Sequence, residues 1–221
     1  TLKIKKIKSP IILISSHKLI KLQMKKLKFF KKINIINYKR INYLKLNNKT
    51  INLIDVKYNT NIAFKKISKN SNKFIYNCFE IAFEIIKKGM TNKFINGPVS
   101  KKYFLNKSFL GITEFTAKKF KANNIGMLIY NSKLSVLPLT THLPLKMVPK
   151  KITKQLIKKK ILLIESFYQN FIGFKPTMAI LGLNPHCESI DKYNEDEKII
   201  KPSVKFLKKK SIKISGPYSA D

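Results

Sequence analysis

The sequence is poor in the residues that disulfide-rich, membrane-spanning or Rossmann-type proteins use. It has 2 cysteines, 7 glycines and 3 histidines in 221 residues, and no tryptophan. Two cysteines exclude a disulfide framework and are typical of a reducing cytoplasm. No apolar run approaches the roughly 20 residues that span a bilayer, and the first residues lack a signal-peptide pattern. The sequence therefore predicts a soluble, cytoplasmic protein with no membrane partner.

The glycines also exclude one common nucleotide site. They form neither G-x-G-x-x-G nor a P-loop, so the Rossmann fingerprint is absent. A nucleotide bound by this chain needs another kind of site.

Acidic residues are scarce, with 11 Asp+Glu against 46 Lys+Arg and a formal charge of +35. Such a charge is typical of proteins that bind nucleic acid. The lysines, however, are scattered among Ile and Asn along the whole chain, and A/T-rich codons encode all three residues. We therefore predict no specific nucleic-acid partner. A basic nucleic-acid-binding protein stays open as the alternative, which a steep salt dependence would favour.

Hydrophobic residues make up 44% of the chain, enough to bury a core in one large or two small domains. Apolar runs and helical periodicity alternate, which predicts an α/β fold with a largely parallel sheet and some antiparallel pairing. Strands are predicted at 10–15, 93–96, 178–183 and 212–214, a hairpin at 127–130 and 134–139, and helices at 72–89, 150–171 and 194–209. The last helix has three acids near its start and Pro202 as a possible break.

Two histidines occupy matching positions. His142 follows the predicted strand at 134–139 and His186 follows the one at 178–183. Ligands bind outside the carboxyl ends of strands in open α/β sheets, so both are candidate metal ligands. Each histidine alone is also compatible with an ordinary polar residue. His17, after the first predicted strand, is interpreted as a loop or helix-start residue.

Five motifs in order resemble one family. They are N-G-P-V-S-K at 96–101, G-I-T-E-F at 111–115, T-T-H-L-P-L at 140–145, L-G-L-N-P-H at 181–186 and G-P-Y-S-A-D at 216–221. Together they resemble the 4-hydroxythreonine-4-phosphate dehydrogenase family of pyridoxal phosphate biosynthesis.

The resemblance implies an isocitrate-dehydrogenase-like two-domain fold with mixed, largely parallel sheets. We place one part-domain at 1–96 and a second at 97–221, which carries the metal-site histidines. It further implies a homodimer, an NAD or NADP cofactor and a divalent metal (Zn, Mg, Mn or Co). The implied reaction is oxidation and decarboxylation of 4-phosphooxy-L-threonine to 3-amino-2-oxopropyl phosphate.

The resemblance also assigns roles to residues. It implies that His142 and His186 bind the metal, that Thr113 and Lys101 bind substrate, and that Asp221 acts in proton transfer. Lys101 is otherwise one lysine among many. For Glu114 we favour a helix N-terminal carboxylate over a catalytic role, and for Cys187 an inert thiol over a ligand.

The sequence departs from the family in two ways. Ile112 stands where the family usually has histidine, so a paralogue that oxidises another phosphorylated hydroxy acid is an alternative. The family's third metal histidine would follow Asp221 and its Gly-rich motif would precede Thr1. We therefore expect an internal fragment with little activity by itself.

Overall fold

The computed structural model describes residues 9–43, 46–105, 109, 111–187 and 193–220. The chain forms two compact units, residues 1–112 and 113–221, and parallel strands and helices alternate in both. The α/β class is therefore confirmed. The domain boundary expected between 96 and 97 stays a prediction, because the compact units are defined by packing alone.

The first unit is built on a three-stranded parallel sheet. Its strands are β1 (Ile12–Ser15), β2 (Ile33–Ile35) and β3 (Ile51–Asp55), in the order β1-β3-β2. Leu53 in the central strand is 0% exposed and lies opposite Leu13 of β1. Strands covered on both faces read as continuous apolar runs, which explains the I-L-I and I-N-L-I sequences here.

Polar side chains begin the helices of this unit. In α1 (His17–Lys26) the Ser16 hydroxyl accepts a hydrogen bond from the Leu19 amide, and His17 is the first helical residue, as predicted. In α2 (Lys69–Lys87) Ser68 forms a capping box with Ser71. Gly89, with a φ of +71°, follows the end of α2 and confirms the predicted stop.

The second unit has a two-stranded parallel sheet of β4 (Met178–Leu181) and β5 (Ile214–Tyr218). Helices α6 (Lys154–Phe167) and α7 (Lys201–Lys209) pack beside it. The two helices, the two strands and the segments beside them share one core, formed by Ile152, Ile157, Ile161, Met178, Ile180, Ile200, Val204, Leu207, Ile212 and Ile214. The described residues also form the short helices α3 (Lys101–Phe104), α4 (Ile112–Lys119) and α5 (Val148–Lys151), 3-10 turns at Tyr38–Tyr43 and Leu145–Met147, and a π-helical turn at Tyr168–Ile172.

Several predicted elements differ from the structure. Residues 93–96 are not a strand. The buried strand predicted at 134–139 is wrong: its one ladder contact with the described residues is the antiparallel bridge Ile129↔Val136, and Leu134 is 75% exposed. That bridge does match the predicted hairpin. The helix at 194–209 is interrupted as expected, with a π-helical turn at 196–200 before Pro202 in the first turn of α7.

In the part of the chain described, no helix is long and apolar enough to cross a membrane.

Candidate functional site

The loop after β4 carries His186 on the protein surface. β4 ends at Leu181, and residues 182–187 then turn away from the sheet, with His186 exposed at the tip. Leu183 packs against the core of the second unit, and the Gly182 amide donates to the Tyr218 carbonyl oxygen at 2.8 Å. The base of the loop is thus fixed to the sheet, while the imidazole remains accessible to solvent.

A buried carboxylate holds this loop from one side. Asp196 Oδ1 accepts from the Leu183 amide at 2.8 Å, and Oδ2 accepts from the Asn184 amide at 3.1 Å and its Nδ2 at 2.9 Å. Asp196 is 0% exposed, and its own amide donates to Asn194 Oδ1 at 2.9 Å. The loop backbone is therefore tied to the start of the following helix.

Gly182 makes this arrangement possible. A Cβ at position 182 would lie 2.5 Å from the Cys187 Sγ and 3.1 Å from the Asp196 Oδ1. Only a residue without a side chain lets the thiol and the carboxylate approach the backbone this closely. Cys187 has a φ of +56° and its sulfur lies against the loop backbone, in keeping with the inert thiol that we favoured.

The chain after β5 holds the same loop from the other side. The Ser219 hydroxyl donates to the Pro185 carbonyl oxygen at 2.8 Å, and the Ala220 amide donates to it at 3.4 Å. β4 and β5 are parallel neighbours, so their carboxyl ends lie at one sheet edge. Residues 181–186 and 216–220, separate in sequence, therefore lie together at this end of the sheet.

His142 lies exposed in a bend, with left-handed backbone at a φ of +55°. It does not follow a strand, because within the described ranges residues 134–139 form a single bridge, at Val136. Leu139 before it and Val148 after it pack against the same core as Leu183. Both candidate histidines thus belong to loops anchored on the core of the second unit. Their convergence on one ion stays a prediction.

The other predicted residues are distributed over both units. Thr113 is exposed in the first turn of α4, and Lys101 opens α3 in the first unit. Glu114 also lies in the first turn of α4, the position that we favoured for it. Its Oε2 is buried, with no hydrogen-bond partner among the described residues. Asp221 lies outside the described residues.

The residues that sequence reasoning missed are those that support the loop. Asp196 was interpreted only as a favourable charge at a helix start, and Asn194 and Ser219 were given no role. A carboxylate is rare in this chain, with 11 Asp+Glu in all. That scarcity is the one sequence signal that could have singled out Asp196.

The donor chemistry of the loops fits a divalent ion. Neutral imidazole nitrogen binds zinc and related divalent metals, and both histidines are accessible. Within the described ranges, no three His, Cys, Asp or Glu side chains are grouped so that they could hold a metal. His142 and His186 are therefore two candidate ligands and not a complete coordination sphere.

These features define an α/β chain whose site lies at the carboxyl ends of parallel strands, and comparison with known proteins identifies its family. The family described as Pyridoxal phosphate biosynthetic protein PdxA matches residues 6–221, so the chain belongs to that family. The resemblance found in the five motifs is thereby confirmed.

Several curated relatives carry the name 4-hydroxythreonine-4-phosphate dehydrogenase. The one from Sulfurihydrogenibium sp. (strain YO3AOP1) is 35% identical over 168 residues, which cover 74% of this chain and 52% of the relative. The one from Aquifex aeolicus is 40% identical over 112 residues, 50% of this chain and 35% of the relative. The chain spans about half the length, or less, of these relatives.

Solved structures share the fold. A 4-hydroxythreonine-4-phosphate dehydrogenase from Klebsiella pneumoniae superposes with a TM-score of 0.81 at 20% identity, covering 96% of this chain and 66% of that one. A putative one from Salmonella typhimurium gives 0.79 at 21% identity, with 96% and 66% covered.

Proposed function

We propose that this chain supplies the metal-ligand loops and part of the substrate site of an NAD(P)-linked dehydrogenase. The enzyme oxidises the C3 hydroxyl of 4-phosphooxy-L-threonine, and the β-keto acid loses carbon dioxide to give 3-amino-2-oxopropyl phosphate. The observation that supports this most is the loop of His186, anchored between Asp196 and Ser219. The family membership supports the same reaction.

His142 and His186 would hold the divalent ion through their imidazole nitrogens. Such an ion would supply a Lewis acid that lowers the pKa of the substrate hydroxyl group, and NAD or NADP would supply the hydride acceptor. His186 is suited to its role because its loop is anchored while its ring is exposed. A ligand held in place before binding loses less conformational entropy when the ion arrives.

The remaining residues would bind substrate and move protons. Thr113 offers a hydroxyl at the first turn of α4, and Lys101 offers a cation for the phosphate or carboxylate of the substrate. Asp221 follows the segment that is bonded to the His186 loop, so it would exchange a proton with the reacting carbon or its oxygen.

We further propose the assembly that the family resemblance implies. It comprises an isocitrate-dehydrogenase-like two-domain fold divided near residue 96, and a homodimer acting in the cytoplasm. Both proposals concern the whole protein, of which this chain corresponds to about half in its relatives.

The test is a dehydrogenase assay on the full protein with 4-phosphooxy-L-threonine, NAD or NADP and Zn, Mg, Mn or Co. We expect His142→Ala and His186→Ala each to lower kcat/KM by about 100-fold or more, because a direct metal ligand is lost. His17→Ala is the matched control, since His17 also follows a parallel strand but begins α1, and it should keep full activity. Equal activity in all three variants would refute the assignment.

A second substrate has support of its own. A D-threonate 4-phosphate dehydrogenase from Pectobacterium atrosepticum is 27% identical over 177 residues, 77% of this chain and 54% of that protein. Ile112 stands where the 4-hydroxythreonine-4-phosphate enzymes usually have histidine, and this would favour a different substrate. Comparing kcat/KM for the two phosphorylated acids, in the wild type and in Ile112→His, decides between them.

A further inference from the structure

The carboxylate of Asp196 has no contact with solvent, yet all its described bonds lead to one short loop. A buried carboxylate is costly unless hydrogen bonds compensate for its lost hydration. Here three N–H groups of Leu183 and Asn184 converge on its two oxygens, at 2.8, 3.1 and 2.9 Å. Those two residues immediately precede Pro185 and His186, so the bonds fix the backbone that carries the imidazole.

Asp196 is itself held in place independently of the loop. Its amide and that of Glu197 donate to Asn194 Oδ1, at 2.9 and 3.4 Å, so the Asn194 side chain begins this helical segment. Ile200, four residues further on, is 2% exposed in the core. The carboxylate therefore stands on an anchored element and can act as a fixed point for the loop.

We propose that Asp196 is a positioning residue for His186. It acts through the loop backbone, without touching the ion or the substrate. Side chains that orient metal ligands in this indirect way typically alter metal affinity by 10–100-fold when they are replaced. The proposal rests on the proposed function of His186 as a metal ligand, and the experiment below separates the two.

The test compares Asp196→Asn with Glu197→Gln in the full chain. Both variants remove one negative charge from adjacent residues, but Glu197 is exposed and pairs with Lys201. Asparagine at 196 keeps one accepting oxygen and turns an NH₂ group toward donors, so at least one loop bond is lost. Leu207→Ala controls for stability, since it removes buried core volume and none of the Asp196 bonds.

Co²⁺ is the probe, and its visible absorption reports both affinity and coordination. We expect Asp196→Asn to weaken Co²⁺ binding by about 10–100-fold and to speed hydrogen exchange of the Leu183 and Asn184 amides. Glu197→Gln and Leu207→Ala should stay within about twofold of wild type in affinity under folded conditions. In a His186→Ala background, Asp196→Asn should have no further effect, because the ligand that it positions is gone.

Two results would overturn the proposal. One is equal Co²⁺ affinity in Asp196→Asn and Glu197→Gln; the other is an undiminished effect of Asp196→Asn in the His186→Ala background. If instead the wild type and His186→Ala bind Co²⁺ equally, the metal role of His186 fails. The His186 ring signals in NMR then decide the positioning role: a shift in Asp196→Asn but not in Glu197→Gln supports it, and no shift refutes it.

Discussion

In each unit the carboxyl ends of the parallel strands lie on the same side of the sheet, but the chain continues differently from there. In the first unit the chain passes from β1 directly into α1, and the Asp55 side chain at the end of β3 accepts a hydrogen bond from the His17 amide at 2.8 Å. In the second unit the chain leaves β4 through the loop of residues 182–187 before any helix begins. The same topology thus produces a helix start in one unit and an exposed imidazole in the other.

The contrast shows that a histidine after a strand is not by itself a site. His17 and His186 both follow strands, and their local sequences give little to tell them apart. What differs is the element that the distant bonds hold: Asp55 accepts from His17 itself at the start of α1, whereas Asp196 and Ser219, 10 and 33 positions beyond His186, bond the loop residues that precede it. The conformation of the His186 loop therefore depends on residues that the local pattern does not contain.

The largest expected effect breaks the second sheet itself. Gly216 in β5 has a φ of +116°, and a Cβ there would lie 2.3 Å from the Ile180 carbonyl oxygen. Gly216→Ala should therefore lower the free energy of unfolding by about 3–5 kcal/mol, through combined backbone strain and overpacking. Urea denaturation measures this.

Gly173→Ala is the matched control for that substitution. Gly173 also has a positive φ, of +96°, but nothing lies within 4 Å of the added Cβ. Its cost should be about 1 kcal/mol, from the left-handed conformation alone. Similar costs at both glycines would contradict the steric account of β5.

The next largest effect concerns Asp196 and Asp55, the two carboxylates that accept hydrogen bonds from the chain that follows a strand. Asp196→Ala should cost about 3 kcal/mol, because three N–H groups of a partly buried loop lose their acceptor. Asp55→Ala should cost about 1 kcal/mol, since Asp55 is exposed and water can replace it at the His17 amide. Thermal or urea unfolding of both variants measures the two losses in unfolding free energy. A larger loss for Asp55→Ala than for Asp196→Ala would contradict this account.

The smallest expected effect is a pH dependence of the unfolding free energy, and it comes from Cys78 in the first unit. Burial raises the pKa of the Cys78 thiol from 9.0 to about 12. Between these values the unfolded chain releases the proton and the folded chain keeps it, so stability falls as pH rises. From pH 8 to pH 10 the contribution lost should be about 1 kcal/mol.

Cys78→Ala isolates this contribution, because the titration of the many lysines is common to both proteins. The difference in unfolding free energy between wild type and variant should shrink from pH 8 to pH 10. A constant difference would mean that the thiol titrates alike in both states.

The elements that sequence predicted well are those with a clear apolar period. The strand at 178–183 and the helix at 72–89 appear as β4 and α2 within a few residues. β3 was not located, although it is the central strand of its sheet, because I-N-L-I-D resembles the Ile- and Asn-rich sequence around it. The segment at 134–139 has an apolar pattern, but among the described residues it pairs only at Val136; Leu134 and Val136 are exposed and the other four residues are half-buried.

The candidate site was predictable in its motifs but not in its support. The histidines and the 216–221 segment were found from short sequence patterns. The bonds from Asp196 and Ser219 depend on how β4, β5 and the intervening helix pack together. No local pattern encodes that packing, because the contacts join residues that lie far apart in the chain.

The bond between Ser219 and the Pro185 carbonyl has a consequence for biosynthesis. It joins residues 34 positions apart. At about 5–20 residues per second, a ribosome needs about 2–7 seconds to make that interval. During most of this time the loop of His186 is already synthesised, while β5, the strand that pairs with β4, is not yet made. The end of the sheet that carries His186 is therefore completed only after Ser219 is made, and a nascent chain that stops before residue 214 leaves β4 without its β5 neighbour.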